Sequence, residues 1–248
     1  FISKVGKDGN ANFILEDFKK AGIHTQYILT SESEETGQAF ITVDEAGQNT
    51  ILVYGGANMT LSATDVEMSV DAFIGADFVV AQLEVPFEAI EQAFKIARKQ
   101  NITTVLNPAP AIELPKSLLE LTDIIIPNET EAELLTGISI NNESDMKETA
   151  TYFLDLGISA VLITLGEQGT YCAYQEQYKM IPACNVKAID TTAAGDTFIG
   201  AFLSELNKDL SNLESAIRLA NQASSLTVQR KGAQASIPTR KEVEAEYN

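Results

Sequence analysis

Apolar positions along this chain recur in two rhythms, one with the period of a helix and one in short unbroken runs. Phe1–Gly6 reads as the second half of a β-strand, and Asn10–Lys20 sets Phe13, Ile14 and Phe18 on one side of a short amphipathic helix that Gly22 stops. Two β-rich runs, Gly37–Val43 (GQAFITV) and Thr50–Tyr54 (TILVY), flank the turn-like Asp44–Gln48 and predict a hairpin. From Phe78 the rhythm changes. Phe78–Leu83 predicts a strand, and Pro86 opens a helix with Phe87, Ile90, Phe94 and Ala97 on one face. Glu88 and Glu91 lie near its start and Lys95, Arg98 and Lys99 near its end, as the helix dipole favours. Ile102–Leu106, Asp123–Ile126 and Ser159–Thr164 (SAVLIT) are further strands, with helices over Glu129–Leu135 and Glu143–Leu156. A second hairpin, Tyr171–Tyr174 with Tyr178–Ile181, precedes helices over Gly195–Leu206 and Leu213–Val228. Strands without polar alternation, separated by helices, predict an α/β fold whose mostly parallel sheet is covered on both faces. No internal repeat, low-complexity tract or flexible linker interrupts the chain, so one continuous domain over residues 1–248 is expected.

Composition narrows the function classes. The 248 residues are 45% hydrophobic and 21% charged, ordinary globular usage. Lys+Arg 17 against Asp+Glu 35 gives a net charge of -18, which disfavours nucleic acid or an anionic membrane surface as the main partner. No apolar run approaches bilayer length and no secretory leader is visible. The two cysteines, Cys172 and Cys184, read as reduced thiols of a cytoplasmic protein. A single histidine, His24, makes His-rich metal sites and a Ser-His-Asp triad improbable. Phe1 is not an initiator Met, so the chain reads as beginning in mid-fold.

Ligands on such sheets bind beyond the carboxyl ends of the strands, and several segments at those ends carry candidate chemistry. In Asp190-Thr191-Thr192-Ala193-Ala194-Gly195-Asp196, small residues run straight into an apolar helix. Their amides are suited to an anion at the helix N-terminus, and Asp196 is placed to take a proton from a hydroxyl that attacks a phosphate. The plainer reading is an Asx turn at Asp190 and dipole complementation by Asp196. Thr164-Leu165-Gly166-Glu167-Gln168-Gly169 makes a tight turn at a strand end, either a nucleotide loop or a simple hairpin turn. Asn128-Glu129-Thr130-Glu131 is either a capping box or a phosphate-side pair in which Glu131 holds a hydrated Mg²⁺. Glu84 is either a helix-entry acid or an acceptor for a substrate hydroxyl. Arg230–Ser236 either terminates a helix or wraps a monovalent cation together with Asp190 and Thr192. There is no P-loop, no GxGxxG after a strand and no CxxC. Cys172 is expected to pack and His24 to lie on the surface.

Together these segments resemble the ribokinase family of carbohydrate kinases, in order and at compatible spacing over nearly the whole chain. Asp190–Phe202 is similar to the family's C-terminal signature, and Asn107–Pro110 also matches. The resemblance implies a three-layer α/β/α fold with a small β-lid built in part from residues 37–55. It implies ATP-dependent phosphorylation of D-ribose to D-ribose 5-phosphate. Asp196 would be the catalytic base, and the amides of Ala193, Ala194, Gly195 and Asp196 the anion hole. Asn128, Thr164, Leu165, Gly166, Glu167, Gln168, Gly169, Gly195 and Asn221 would line the nucleotide site. Glu131 would act through Mg²⁺, Glu84 would contact the sugar, and Asp190, Thr192, Thr227, Arg230, Gly232 and Ser236 would surround an activating K⁺. The lid often pairs two subunits, so a homodimer is expected. The family's first strand, its Asn-x-Asp sugar contact, the other lid strands and its Gly-Gly sugar motif are not in this sequence. Fructokinase, deoxyribokinase or adenosine kinase activity, a silent nucleotide- or sugar-binding protein, and a fragment needing a partner chain are the alternatives.

Overall fold

The computed structural model describes residues 1–43 and 49–247. The chain divides into two compact units, Phe1–Thr104 and Val105–Asn248.

The first unit begins with β1 (Ile2–Val5), α1 (Gly9–Lys20) and β2 (Tyr27–Thr30). β1 and β2 pair in parallel, Ile2 opposite Tyr27 and Val5 opposite Thr30. Asp8 caps α1, its carboxylate accepting from the Ala11 amide at 2.8 Å. The predicted hairpin is present: β3 (Gln38–Val43) runs antiparallel to β4 (Asn49–Tyr54), with Gln38 opposite Tyr54. Its expected turn, Asp44–Gln48, lies outside the described residues. Next come α2 (Ala63–Met68), β5 (Phe78–Ala81) and α3 (Phe87–Lys99). α3 buries Ile90, Phe94 and Ala97, the face its spacing predicts, and its Ala89, Ile96 and Ala97 pack in a core that includes Leu61, Val66, Phe73 and Ile102. Lys4 and Asp65 pair at 2.9 Å and tie β1 to the first turn of α2.

The chain enters the second unit within β6 (Thr103–Leu106). There follow α4 (Lys116–Leu119), β7 (Ile124–Ile125), α5 (Glu129–Thr136), α6 (Glu143–Asp155), β8 (Ala160–Thr164), β9 (Gly169–Tyr174), β10 (Gln177–Pro182), α7 (Ala194–Glu205), α8 (Leu213–Thr227) and α9 (Arg240–Tyr247). The strand order is β10-β9-β8-β7-β6. β6, β7 and β8 are parallel, and β9 and β10 add an antiparallel hairpin at the edge. Val161, Ile163, Tyr171 and Ala173 pack on Met146, Ala150 and Phe153 of α6. Residues alternate across a strand, so Thr170 and Cys172 face the other way, toward α8, which packs on β9 and β10. Helices therefore cover both faces of the sheet, and β8 is buried along nearly its whole length. Cys172 sits in this packing, and burial pushes its thiol up to about 12, as expected of a core cysteine. His24 is exposed. No helix among the described residues is long and apolar enough to cross a membrane.

Candidate active site

The segment before α7 is shaped by Asp190. One carboxylate oxygen accepts from the Thr192 amide at 3.0 Å, and the other accepts from the Gly232 amide at 3.0 Å. A single side chain thus joins two stretches 42 residues apart. These hydrogen bonds, the Thr192 side chain foremost, hold the Asp190 carboxyl down to about 2, so it is ionised at any ordinary pH. The Ile189 amide donates to the Val228 carbonyl at 2.7 Å and holds the same two stretches together.

Ala193 then turns the chain with φ 61 and ψ 12, the left-handed conformation. α7 starts at once, and no side chain caps it. An added Cβ at Gly195 would meet nothing within 4 Å, and Gly195 and Asp196 are both exposed. The helix start is therefore open where the small-residue pattern called for backbone access. Behind it the turn is fixed: the Ser224 hydroxyl on α8 donates to the Ala194 carbonyl at 2.9 Å, and the Thr227 hydroxyl donates to that of Thr197 at 3.0 Å.

At the start of α5 the capping box is complete. Asn128 Oδ1 accepts from the Glu131 amide at 2.8 Å, and Glu131 Oε2 accepts from the Asn128 amide at 2.8 Å. Glu131 Oε1 takes a further bond from Asn128 Nδ2 at 2.9 Å. Glu131 is only 6% exposed; burial pushes its carboxyl up while the Asn128 amide pulls it down. Asn128 also bridges Thr164 in parallel register, and the Thr164 amide donates to the Pro127 carbonyl at 2.9 Å.

The Thr164–Gly169 turn therefore starts beside Asn128. Gly166 has φ 51 and Gly169 φ 109. Leu165 is buried below the turn, while Gly166, Glu167 and Gln168 face solvent. At Gly169 only glycine fits, because a Cβ would lie 2.2 Å from the Ile181 carbonyl oxygen. Asn221, on α8, is 7% exposed and makes three side-chain hydrogen bonds within the fold.

Around the Arg230–Ser236 loop, the Arg230 amide donates to the Thr227 carbonyl at 3.0 Å, and buried Ser236 donates its hydroxyl to the Ala233 carbonyl at 2.6 Å. The Arg230 guanidinium pairs with Glu242 of α9 at 2.8 Å. Glu84, in the first unit, is exposed beyond the end of β5. Among the described residues no three His, Cys, Asp or Glu side chains converge as a metal site. The sequence reading missed Thr170, which is wholly buried and bonded to Asn221 at 2.9 Å. Its one signal is that it follows a glycine at a strand start, which does not distinguish it from other strand threonines.

A parallel sheet between helix layers, with small-residue turns at the strand ends, is the scaffold of a phosphoryl-transfer enzyme. The family model of pfkB family carbohydrate kinases matches residues 1–240, and the chain belongs to that family. It is 64% identical to ribokinase of Staphylococcus aureus (strain COL), an alignment spanning 98% of this chain and 80% of that protein. It is 50% identical to the bifunctional ribokinase/ribose-5-phosphate isomerase A of Fructilactobacillus sanfranciscensis, over 98% of this chain and 45% of that one. The structure of Arabidopsis thaliana ribokinase complexed with ribose and ATP superposes with a TM-score of 0.89 at 32% identity, covering 99% of this chain and 80% of that one.

Proposed function

We propose that this protein transfers the γ-phosphoryl group of ATP to the 5-hydroxyl of D-ribose, giving D-ribose 5-phosphate and ADP. The observation that carries this reading is the open N-terminus of α7, where uncapped helix amides and an exposed carboxylate, Asp196, share one turn. Phosphoryl transfer needs alignment and charge neutralisation more than covalent help. Asp196 accepts the proton as the sugar oxygen bonds to γ-phosphorus and the bond to the β,γ-bridging oxygen breaks, leaving ADP. The amides of Ala193 to Asp196 face the charge that develops on the transferring group. The Thr164–Gly169 turn and Asn128 receive the nucleotide, and Glu84 receives a sugar hydroxyl.

Two ions belong to the same proposal. Glu131 has both oxygens bonded to Asn128, so it fits Mg²⁺ only through water, and Mg²⁺ would neutralise charge on the nucleotide phosphates. K⁺ fits among Asp190, Thr192, Thr227, Arg230, Gly232 and Ser236, several of them through backbone carbonyls. Support for this comes from the ionised Asp190 carboxylate, which already draws the two contributing stretches together. Residues 1–248 acting as one kinase domain, the β3–β4 hairpin as part of a lid that also pairs two subunits, and a cytoplasmic setting complete the reading.

ADP release tests it. In the full-length enzyme, ribose should give the highest kcat/KM among ribose, deoxyribose, fructose and adenosine, and replacing K⁺ by Na⁺ should slow turnover. Preference for another acceptor would overturn the ribose assignment, and indifference to the cation would remove K⁺.

A further inference from the structure

We propose that Thr170 is a positioning residue for the nucleotide, acting through Asn221 to fix the Thr164–Gly169 turn at a set distance from the start of α7. This rests on the reading of that turn as the nucleotide loop. Thr170 stands next to Gly169, in register with Thr164 on one side and Ile181 on the other. Its hydroxyl donates to Asn221 Oδ1 at 2.9 Å. Asn221 Nδ2 donates to the carbonyls of Ile181 at 3.1 Å and Pro182 at 3.2 Å, which engages both amide hydrogens. Asn221 thus commits its amide nitrogen to the hairpin, and it holds the hairpin in place through these bonds.

The same knot closes the turn. The Leu165 amide donates to the Gly169 carbonyl at 2.8 Å, the Gln168 amide to the Leu165 carbonyl at 3.0 Å, and the Ala183 amide to the Gln168 carbonyl at 3.3 Å. Gly169 is pressed against Ile181 and Ala183 without room for a Cβ. One helical turn further along α8, Ser224 grips the Ala194 carbonyl. Residues three apart share a helix face, so α8 works as a ruler: Asn221 holds the turn that receives one end of the nucleotide, and Ser224 holds the helix start that receives its phosphates. Binding a long ligand at two separated points is sensitive to their spacing, because a misplacement is felt by every contact at the far end. A buried pair whose partner is removed leaves Asn221 Oδ1 without a donor, and the hairpin relaxes around it.

The experiment uses Thr170→Val, which keeps the shape and removes the hydroxyl, Thr170→Ser, which restores it, and Ser224→Ala. Kinetics in both substrates are read with ATP affinity by calorimetry in the absence of sugar. Thr170→Val should raise the KM and Kd for ATP roughly tenfold, the size of one lost buried hydrogen bond, with kcat and the KM for sugar within about twofold. Thr170→Ser should return ATP affinity to within about twofold, and Ser224→Ala, a partly exposed site, should raise the KM for ATP about threefold. A lowered melting temperature with unchanged ATP affinity in Thr170→Val overturns the proposal, as does loss of kcat and sugar affinity in step. If Thr170→Val does not fold, Thr170→Ala takes its place: a KM for ATP raised about tenfold supports the proposal and an unchanged one overturns it. A wild-type protein that binds ATP but phosphorylates no sugar sinks only the ribose reading, and the Kd ratios still judge Thr170. A wild type that binds no nucleotide sinks both.

Discussion

At the start of α5, Asn128 and Glu131 satisfy each other's backbone amides and a third bond joins their side chains. At the start of α7, Ala193 occupies the same position with a methyl group, a left-handed backbone and no cap. α5 comes after β7 and α7 after β10, two strands of one sheet, and both helices carry acid in the first turn, Glu129 and Glu131 in α5 and Asp196 in α7. Glu131 of α5 is buried, and Asp196 of α7 is exposed. The first four N–H groups of any helix lack internal partners. α5 closes two of its own through the Asn128–Glu131 box and gains a cap worth about 1 kcal/mol. α7 forgoes that gain: its Ala194 amide turns back onto the Thr191 carbonyl at 3.2 Å, and the helix dipole is left to an anion from outside. One sheet thus offers a finished helix start and an open one, and on the proposed reading the open one meets the phosphates.

The strongest way to break this contrast is Asp196→Asn. If Asp196 is the base, kcat should fall by about 10²–10⁴-fold while the KM for ATP changes little, since a positioned base acts on the chemical step. Steady-state turnover near wild type would show that the acid only complements the helix dipole.

Asp190→Asn comes next. An amide there points an N–H at the amide of Thr192 or Gly232, so one of the two ties is lost. Turnover in K⁺ should drop roughly tenfold, in line with losing a hydrogen bond to a charged group, and the difference between K⁺ and Na⁺ should narrow. A pH series sharpens the point. The native carboxyl titrates at about 2, below the ordinary 3.8, so the folded state binds fewer protons there than the unfolded chain. The stability Asp190 contributes is therefore complete above 3.8 and is lost as pH falls through about 2. The wild-type advantage over Asp190→Asn in urea midpoint should shrink across that window, and a constant gap would show that the carboxylate's charge is not what joins the two stretches.

Asn128→Ala tests the closed helix start. It removes the cap and one partner of buried Glu131, so urea unfolding should report a loss of about 1–2 kcal/mol. A smaller loss than that from a control cap on the exposed start of α6, Asn142→Ala, would mean that the box at α5 is not the stronger of the two.

Much of this was legible before any coordinates, and the pattern of what was not is physical. α3, α6, β8 and α8 announce themselves because long periodic or unbroken apolar runs allow one burial pattern. β2, α2, α4 and α9 do not. α2 is six residues long and held by a Ser62–Asp65 capping box and the Lys4 ion pair, and α9 buries only Val243. At the site, the small residues before α7 mark an open helix start, and Asn128 with Glu131 marks a cap. What the letters could not say is how side chains spend their hydrogen bonds. Asn221 reads as a nucleotide contact, and nothing in the letters shows that its amide nitrogen also donates to the Ile181 and Pro182 carbonyls. Thr170 carries no distinguishing mark, because its partner lies 51 residues away on another element.

Ala193 is the finest case of this. An alanine gives no hint of positive φ, yet here it stands at φ 61. A left-handed conformation costs a residue with a Cβ about 1–2 kcal/mol, and glycine would remove that cost. Glycine also loosens the unfolded chain by about 0.5–1 kcal/mol, so the two terms oppose each other. Ala193→Gly should then shift stability by no more than about 1 kcal/mol, toward the stable side. The contrast between the two helix starts turns on the sign. A gain means the open start is held in its conformation by the surrounding ties of Asp190, Ser224 and Thr227 against the preference of its own residue. A loss by the same urea titration means that the methyl group at 193 makes contacts that favour the turn, and the strain attributed to it is not there.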